Sequence, residues 1–297
     1  MDRIGELAAL ATALFWTVTA LSFESAGKRV GSLNVNLIRL VISLLFFTAY
    51  QLLRFGRPLP LDAPSSVWLY LSLSGLIGFV IGDLFLFQAF VVVGARIAML
   101  IYSSVPILTT LIAWFVLGEL PTALQFLGMF MTVAGIGVVV LTRQPHSGVR
   151  TRHPLRGIAL ALAGSVGQAA GLVLGRYGAP TYDAVGATQI RALAGTVGFA
   201  LIISIARRWR PTFRALSDGK AMALTANGAF FGPFLGVSLG LFAAQNTETG
   251  VAATIIALVP VLILPWSRWV LKEEVGLRDA AGAVLACAGV ALLFLVS

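Results

Sequence analysis

The chain has 297 residues, 58% of them hydrophobic and only 11% charged, with a net charge of +9. Ordinary soluble domains carry roughly 25% charged residues, so a soluble protein of this size could not cover its surface. A cationic balance can mark nucleic-acid binding, but the basic residues here fall in short breaks between apolar runs rather than on a patch interleaved with aromatics, which excludes that class.

Taken in chain order, polar or Gly/Pro breaks delimit ten apolar runs, at about 7–23, 34–53, 67–90, 95–117, 122–141, 155–174, 184–206, 221–244, 250–271 and 276–296. Each is long enough to cross a bilayer, which takes about 17 to 25 residues. They predict an all-α integral membrane protein of ten transmembrane helices. The first run has no basic segment before it beyond Arg3 and is long for a signal peptide, so it reads as a span. The single cysteine, Cys287, sits in an apolar run and offers neither a disulfide nor a metal site.

The most polar break, 142–157, divides the spans five and five. Shifted by 154, residues 94–141 align with 248–295 without a gap, with twelve identities in 48 positions. Pro106 falls on Pro260, Glu119 on Glu273, Gly128 on Gly282, and Gly135 on Gly289. Upstream, Gly78 and Gly82 meet Gly232 and Gly236, and a shift of 152 brings Arg39 onto Arg191 and Trp16 onto Gln168. The chain therefore divides into a first unit at 1–143, a basic loop at 144–154 and a second unit at 155–297. An odd number of spans per unit makes the two units inverted five-helix repeats, an arrangement used by transporters with a site near the midplane between the halves.

Lys and Arg give the orientation. The N-terminus and even-numbered breaks hold four, Arg3, Arg54, Arg57 and Arg176, whereas the odd-numbered breaks hold fifteen. Odd breaks are expected in the cytoplasm and both termini outside.

The stretch "GARIAMLIYSSVPILTTLIAWFVLGE" with "PTALQFLGMFMTVAGIGVVVL", and its second copy "ETGVAATIIALVPVLILPWSRWVLKEE" with "AGAVLACAGVALLFL", resemble EamA-type modules of the drug/metabolite transporter (DMT) superfamily. The resemblance covers both halves. It implies a multi-pass cell inner-membrane carrier, often an exporter of amino acids or related metabolites, working by alternating access on a small-molecule substrate.

Several residues stand out against the apolar background. Asp83 lies in "GFVIGDLFLFQAF", where a carboxylate is costly; it is expected on a cavity wall with protonation coupled to transport, or else in an ion pair with Arg39 or Arg191. An ionisable residue near a helix centre costs roughly 2.5 to 3.5 kcal/mol on insertion scales and usually faces the protein interior. The two arginines either anchor, snorkelling to the interface, or contact a substrate carboxylate. Trp16, Gln88, Tyr102, Ser103, Gln168, Asn227 and Gln245 are further cavity candidates, each competing with a plain helix–helix hydrogen bond. Pro106 and Pro260 are hinge candidates, since proline removes a backbone hydrogen bond inside a helix. Glu119 and Glu273 are placed to face the positive ends of the fifth and tenth helices.

Enzyme signatures fail. "GVSLG" fits GxSxG only inside an apolar run, not at a strand-to-helix elbow, and no phosphate-binding loop or metal cluster is present. No cofactor is expected; protons or another ion would couple transport, and the lipid bilayer is the other partner. A non-transporting membrane subunit or a membrane-embedded enzyme is the alternative.

Overall fold

The computed structural model describes residues 3–86, 88–89, 92, 101–102, 104–142, 154–259, 261–262 and 276–296, and among them every regular element is helical. The helices are α1 Ile4–Val30, α2 Ser32–Phe55, α3 Ser65–Leu86, α4 Val105–Leu117, α5 Ala123–Thr142, α6 Pro154–Gly178, α7 Ala184–Ile205, α8 Trp209–Ala215, α9 Gly219–Asn246, α10 Thr249–Ile256 and α11 Leu277–Val296. Five of these, α2, α3, α6, α7 and α9, are long and apolar enough to cross a membrane, and α1, α4, α5 and α11 contain shorter apolar stretches. Residues 143–153, which include all of the connecting loop but Pro154, lie outside the described residues, as do Ser103, Pro260 and Glu273.

The surface is the reverse of a soluble protein's. Leu45, Leu53, Phe115, Phe130, Val197 and Ile205 point outward, while Thr12, Ser43, Ser74, Gln51, Gln189 and Thr254 are buried. That is the distribution expected when the solvent is hydrocarbon.

Local chemistry sets the helix ends. Gly56 takes a left-handed conformation (φ 70°) after α2, and Gly118 (φ 71°) does so after α4; side chains with a Cβ rarely adopt either. Thr122 and Gln125 exchange backbone and side-chain bonds as a capping box at the start of α5. Asp183 and Asp218 cap α7 and α9 through the N–H groups of Gly186 and Ala221. One sequence boundary is corrected: the first helix does not stop near residue 23 but runs to Val30. Its last turns carry Glu24, Lys28 and Arg29, polar residues that end an apolar run without ending a helix.

The repeat is visible as geometry. Helices α5 and α11, equivalent at shift 154, cross antiparallel: a Cβ on Gly135 would meet the carbonyl of Gly282, and one on Gly128 the carbonyl of Gly289. Exchanging repeat-mates turns each of these contacts into the other, so a pseudo-two-fold axis runs between the helices. Close backbone approach over small residues is the usual way apolar helices associate without a hydrophobic drive.

The same exchange governs α3 and α9. The Gly78 and Gly82 face of α3 packs on Gly171 and Gly167 of α6, whereas Gly228, Gly232 and Gly236 of α9 receive Phe23, Thr19 and Trp16 of α1. Both helices widen into π-helical turns at equivalent places, Leu76–Gly82 and Phe230–Val237. In α9, Pro233 lacks the N–H that a regular ladder would use there. Such π-turns are frequent at functional sites.

The loops gather in two sets. At one end Glu6 accepts from the Thr247 hydroxyl at 2.6 Å, Tyr182 donates to Asp62 at 2.7 Å, and Glu119 meets Thr249. At the other, Arg29 pairs with Asp218 at 2.9 Å, and the Thr212 hydroxyl donates to Asn34 at 2.8 Å. The first set joins the N-terminal segment to even-numbered breaks, and the second joins odd-numbered breaks.

Candidate functional site

Helix α2 carries Arg39 inward, α3 delivers Asp83 immediately after its π-turn, and α6 brings Gln168 from the second half of the chain. The Arg39 guanidinium pairs with Oδ2 of Asp83. Gln168 Nε2 donates to the other oxygen at 2.7 Å and to the Gly78 carbonyl at 3.2 Å. Arg39 is 9% exposed and Asp83 7%, so neither snorkels. The Arg39 guanidinium also lies 5.4 Å from the centre of the Phe23 ring. Two donors, one from each half of the chain, thus converge on one buried carboxylate. The cluster holds the halves together through one charged group.

Arg191, the repeat-mate of Arg39, sits on α7 and is 5% exposed. Its guanidinium lies 5.2 Å from the centre of the Phe79 ring. Among the described residues, its Nε and Nη1 have no hydrogen-bond partner and no carboxylate forms an ion pair with it.

The remaining sequence candidates spread over three regions. Tyr102 is half-buried and within electrostatic range of Asp83, so it joins the cluster's surroundings. Trp16 packs where a Cβ on Gly236 would be, which places it and Gln168 at matching positions in the two halves. Gln88 is exposed. Asn227, also exposed, accepts from the Ser22 hydroxyl at 2.9 Å. Gln245 lies at the end where the even breaks meet, donating to the carbonyls of Ala179 and Tyr182. There it lines a cavity of about 350 Å³ with Tyr182, Asp183, Phe242 and Asn246.

Pro106 stands in the first turn of α4, where its missing N–H costs nothing. The chain turns just before it, with Ser104 N–H bonding Ile101 at 2.9 Å; Leu258 N–H bonds Ile255 at 3.1 Å at the equivalent place in the second half. The helix is thus broken at Ser104 rather than kinked by the ring. Glu119 also departs from expectation. Instead of facing its own following helix, it caps α10 of the other half, accepting from the Thr249 N–H at 2.7 Å and hydroxyl at 3.1 Å. The paired π-turns and breaks were not read from the sequence; the mid-run Pro233 within "FFGPF" was the available signal.

Outside the membrane-spanning helices, burial and the neighbouring Glu119 push the Glu248 carboxyl up, against a hydrogen bond from Gln125 that lowers it. The Tyr182 hydroxyl holds Asp62 below the usual carboxylate range, and burial together with Asp62 raises the Tyr182 phenol. Among the described residues, no group of three or more His, Cys, Asp or Glu side chains is placed to hold a metal ion.

The model of the EamA-like transporter family matches residues 3–141 and 155–295. A solved structure described as "Crystal structure of protein" shares the fold with a TM-score of 0.78 at 21% identity, covering 98% of this chain and 96% of that one. No curated protein sequence matches.

Proposed function

The chain belongs to the EamA-like transporter family, of the drug/metabolite transporter superfamily, and from that premise we propose that it is a secondary carrier with ten crossings arranged as two inverted five-helix repeats. In this reading it exports small, amino-acid-like metabolites across the inner membrane by alternating access, with odd breaks in the cytoplasm and both termini outside. The antiparallel seam of α5 and α11 and the segregation of loops into two ends support the topology.

The observation that carries the reading is Asp83, one carboxylate held by Arg39 of the first half and Gln168 of the second. A hydrogen bond to a charged acceptor is roughly twice as strong as a neutral one. Protonating Asp83 weakens the grip of both donors together, which loosens α6 against α2 and α3. The helix breaks at Ser104 and Leu258 give each half a place to bend. A proton gradient thereby biases which side the cavity faces, and no nucleotide or redox cofactor enters the cycle.

Uptake by proteoliposomes containing the full chain, screened across amino acids with and without a proton gradient, tests this. Cargo-dependent flux driven by the gradient is expected. Chemical conversion of a cargo without flux would replace the carrier by a membrane-embedded enzyme.

A further inference from the structure

The duplication supplied two buried arginines but only one carboxylate. At shift 154 Asp83 falls on Val237, so where the first half offers Arg39 a counter-charge, the second offers Arg191 an isopropyl group. Val237 packs against the apolar cluster that contains Phe79, the ring beside which the Arg191 guanidinium lies. Leu241, one turn further along α9, approaches the same place: a Cβ on Gly175 would lie 3.2 Å from it and 3.7 Å from Arg191 Cζ. Gly78 and Gly175 are the backbone neighbours there, so no side chain from either covers the guanidinium.

A buried cation without a partner is costly to keep. We infer that Arg191 is the binding group for a carboxylate of the cargo, which takes the part beside Val237 that Asp83 plays beside Arg39. Arginine's planar fork matches a carboxylate with two parallel bonds. A single guanidinium beside Phe79 and near Leu241 suits a monoanion with an apolar body better than a phosphate dianion, which would arrive undercompensated. The inference rests on the carrier reading and narrows it to carboxylate-bearing cargo.

The test compares labelled amino acids with their decarboxylated amines in proteoliposomes, using wild type, Arg191→Gln, Val237→Asp and the neutral near-isostere Val237→Asn. Wild type should carry acids and not amines. Arg191→Gln and Val237→Asp should each lose flux about tenfold or more, the worth of one to two charge-assisted bonds. Val237→Asn, of the same size but uncharged, should lose less flux than Val237→Asp, and that difference separates charge from packing. Val237→Asp should also unfold at or above the wild-type temperature, because its carboxylate pairs with Arg191. Acids and amines carried alike, or flux retained in Arg191→Gln, would overturn the Arg191 assignment and leave the carrier standing. No flux of either set in wild type, with no thermal shift on adding them, would count against the carrier, and the assignment would fall with it.

Discussion

Arg39 and Arg191 occupy equivalent positions in the two halves, yet Arg39 pairs with a carboxylate and Arg191 pairs with none among the described residues. Each is buried beside a phenylalanine ring, Phe23 of α1 for Arg39 and Phe79 of α3 for Arg191. The counter-charge differs in one residue, Asp83 against Val237, and beside it Gln168 of one half stands against Trp16 of the other. A duplicated scaffold thus fixes where charges are held, while single substitutions decide which charge is satisfied internally. In the proposed carrier, coupling falls to the first half and cargo recognition to the second.

The largest effect should come from breaking the satisfied pair. Arg39→Gln leaves Asp83 buried without its counter-ion, which typically costs about 3 to 5 kcal/mol. Arg191→Gln breaks no ion pair among the described residues and loses mainly the contact with Phe79, so it should cost no more than about 1 kcal/mol. Denaturant unfolding in detergent micelles reads both, and equal losses would erase the contrast between the halves.

The symmetric seam is next. Gly135→Ala puts a methyl against the backbone of Ala286 and should cost about 1 to 3 kcal/mol. Gly289→Ala, its mate, should behave alike. Gly137→Ala on the same helix meets nothing and should be neutral or gain up to about 1 kcal/mol. Thermal midpoints decide, and a seam that tolerates Ala at position 135 would remove the tight two-fold contact.

Glu119 and Glu248 offer a smaller contrast. Glu119→Gln weakens the cap on α10, worth about 0.5 to 2 kcal/mol. Glu248 has its folded pKa raised above the ordinary value of 4.5, so it favours the fold fully below that value and loses this contribution as pH rises through the folded pKa. Glu248→Gln should therefore raise the thermal midpoint at neutral pH, and the gain should vanish towards pH 4. The smallest effect belongs to Asp62, on an exposed loop. Its pKa is lowered by the Tyr182 hydroxyl, so Asp62 contributes above the usual carboxylate range and loses that contribution as pH falls. Asp62→Asn should cost under about 1 kcal/mol.

Hydropathy and repeat alignment made the helical class, the presence of two repeats and the equivalence of Arg39 with Arg191 legible in the sequence. These properties are periodic or one-dimensional, and they survive without knowledge of neighbours. The alignment also set Asp83 against Val237, although which arginine held the acid depended on how α2, α3 and α6 meet. Likewise, the Glu119 cap on α10 joins residues 130 positions apart and left no local signal. The π-turns arise where glycine and proline faces pack across the pseudo-two-fold, a property of pairs of helices rather than of either sequence alone.

The central claim is that Asp83 couples and Arg191 binds, and transport in two modes separates them. Wild type, Asp83→Asn and Arg191→Gln are compared in proteoliposomes for proton-gradient-driven uptake and for exchange of an amino acid at equal pH on both sides. Asp83→Asn should lose driven uptake and keep exchange, whereas Arg191→Gln should lose both. Undiminished driven uptake in Asp83→Asn, or full exchange in Arg191→Gln, would contradict the account.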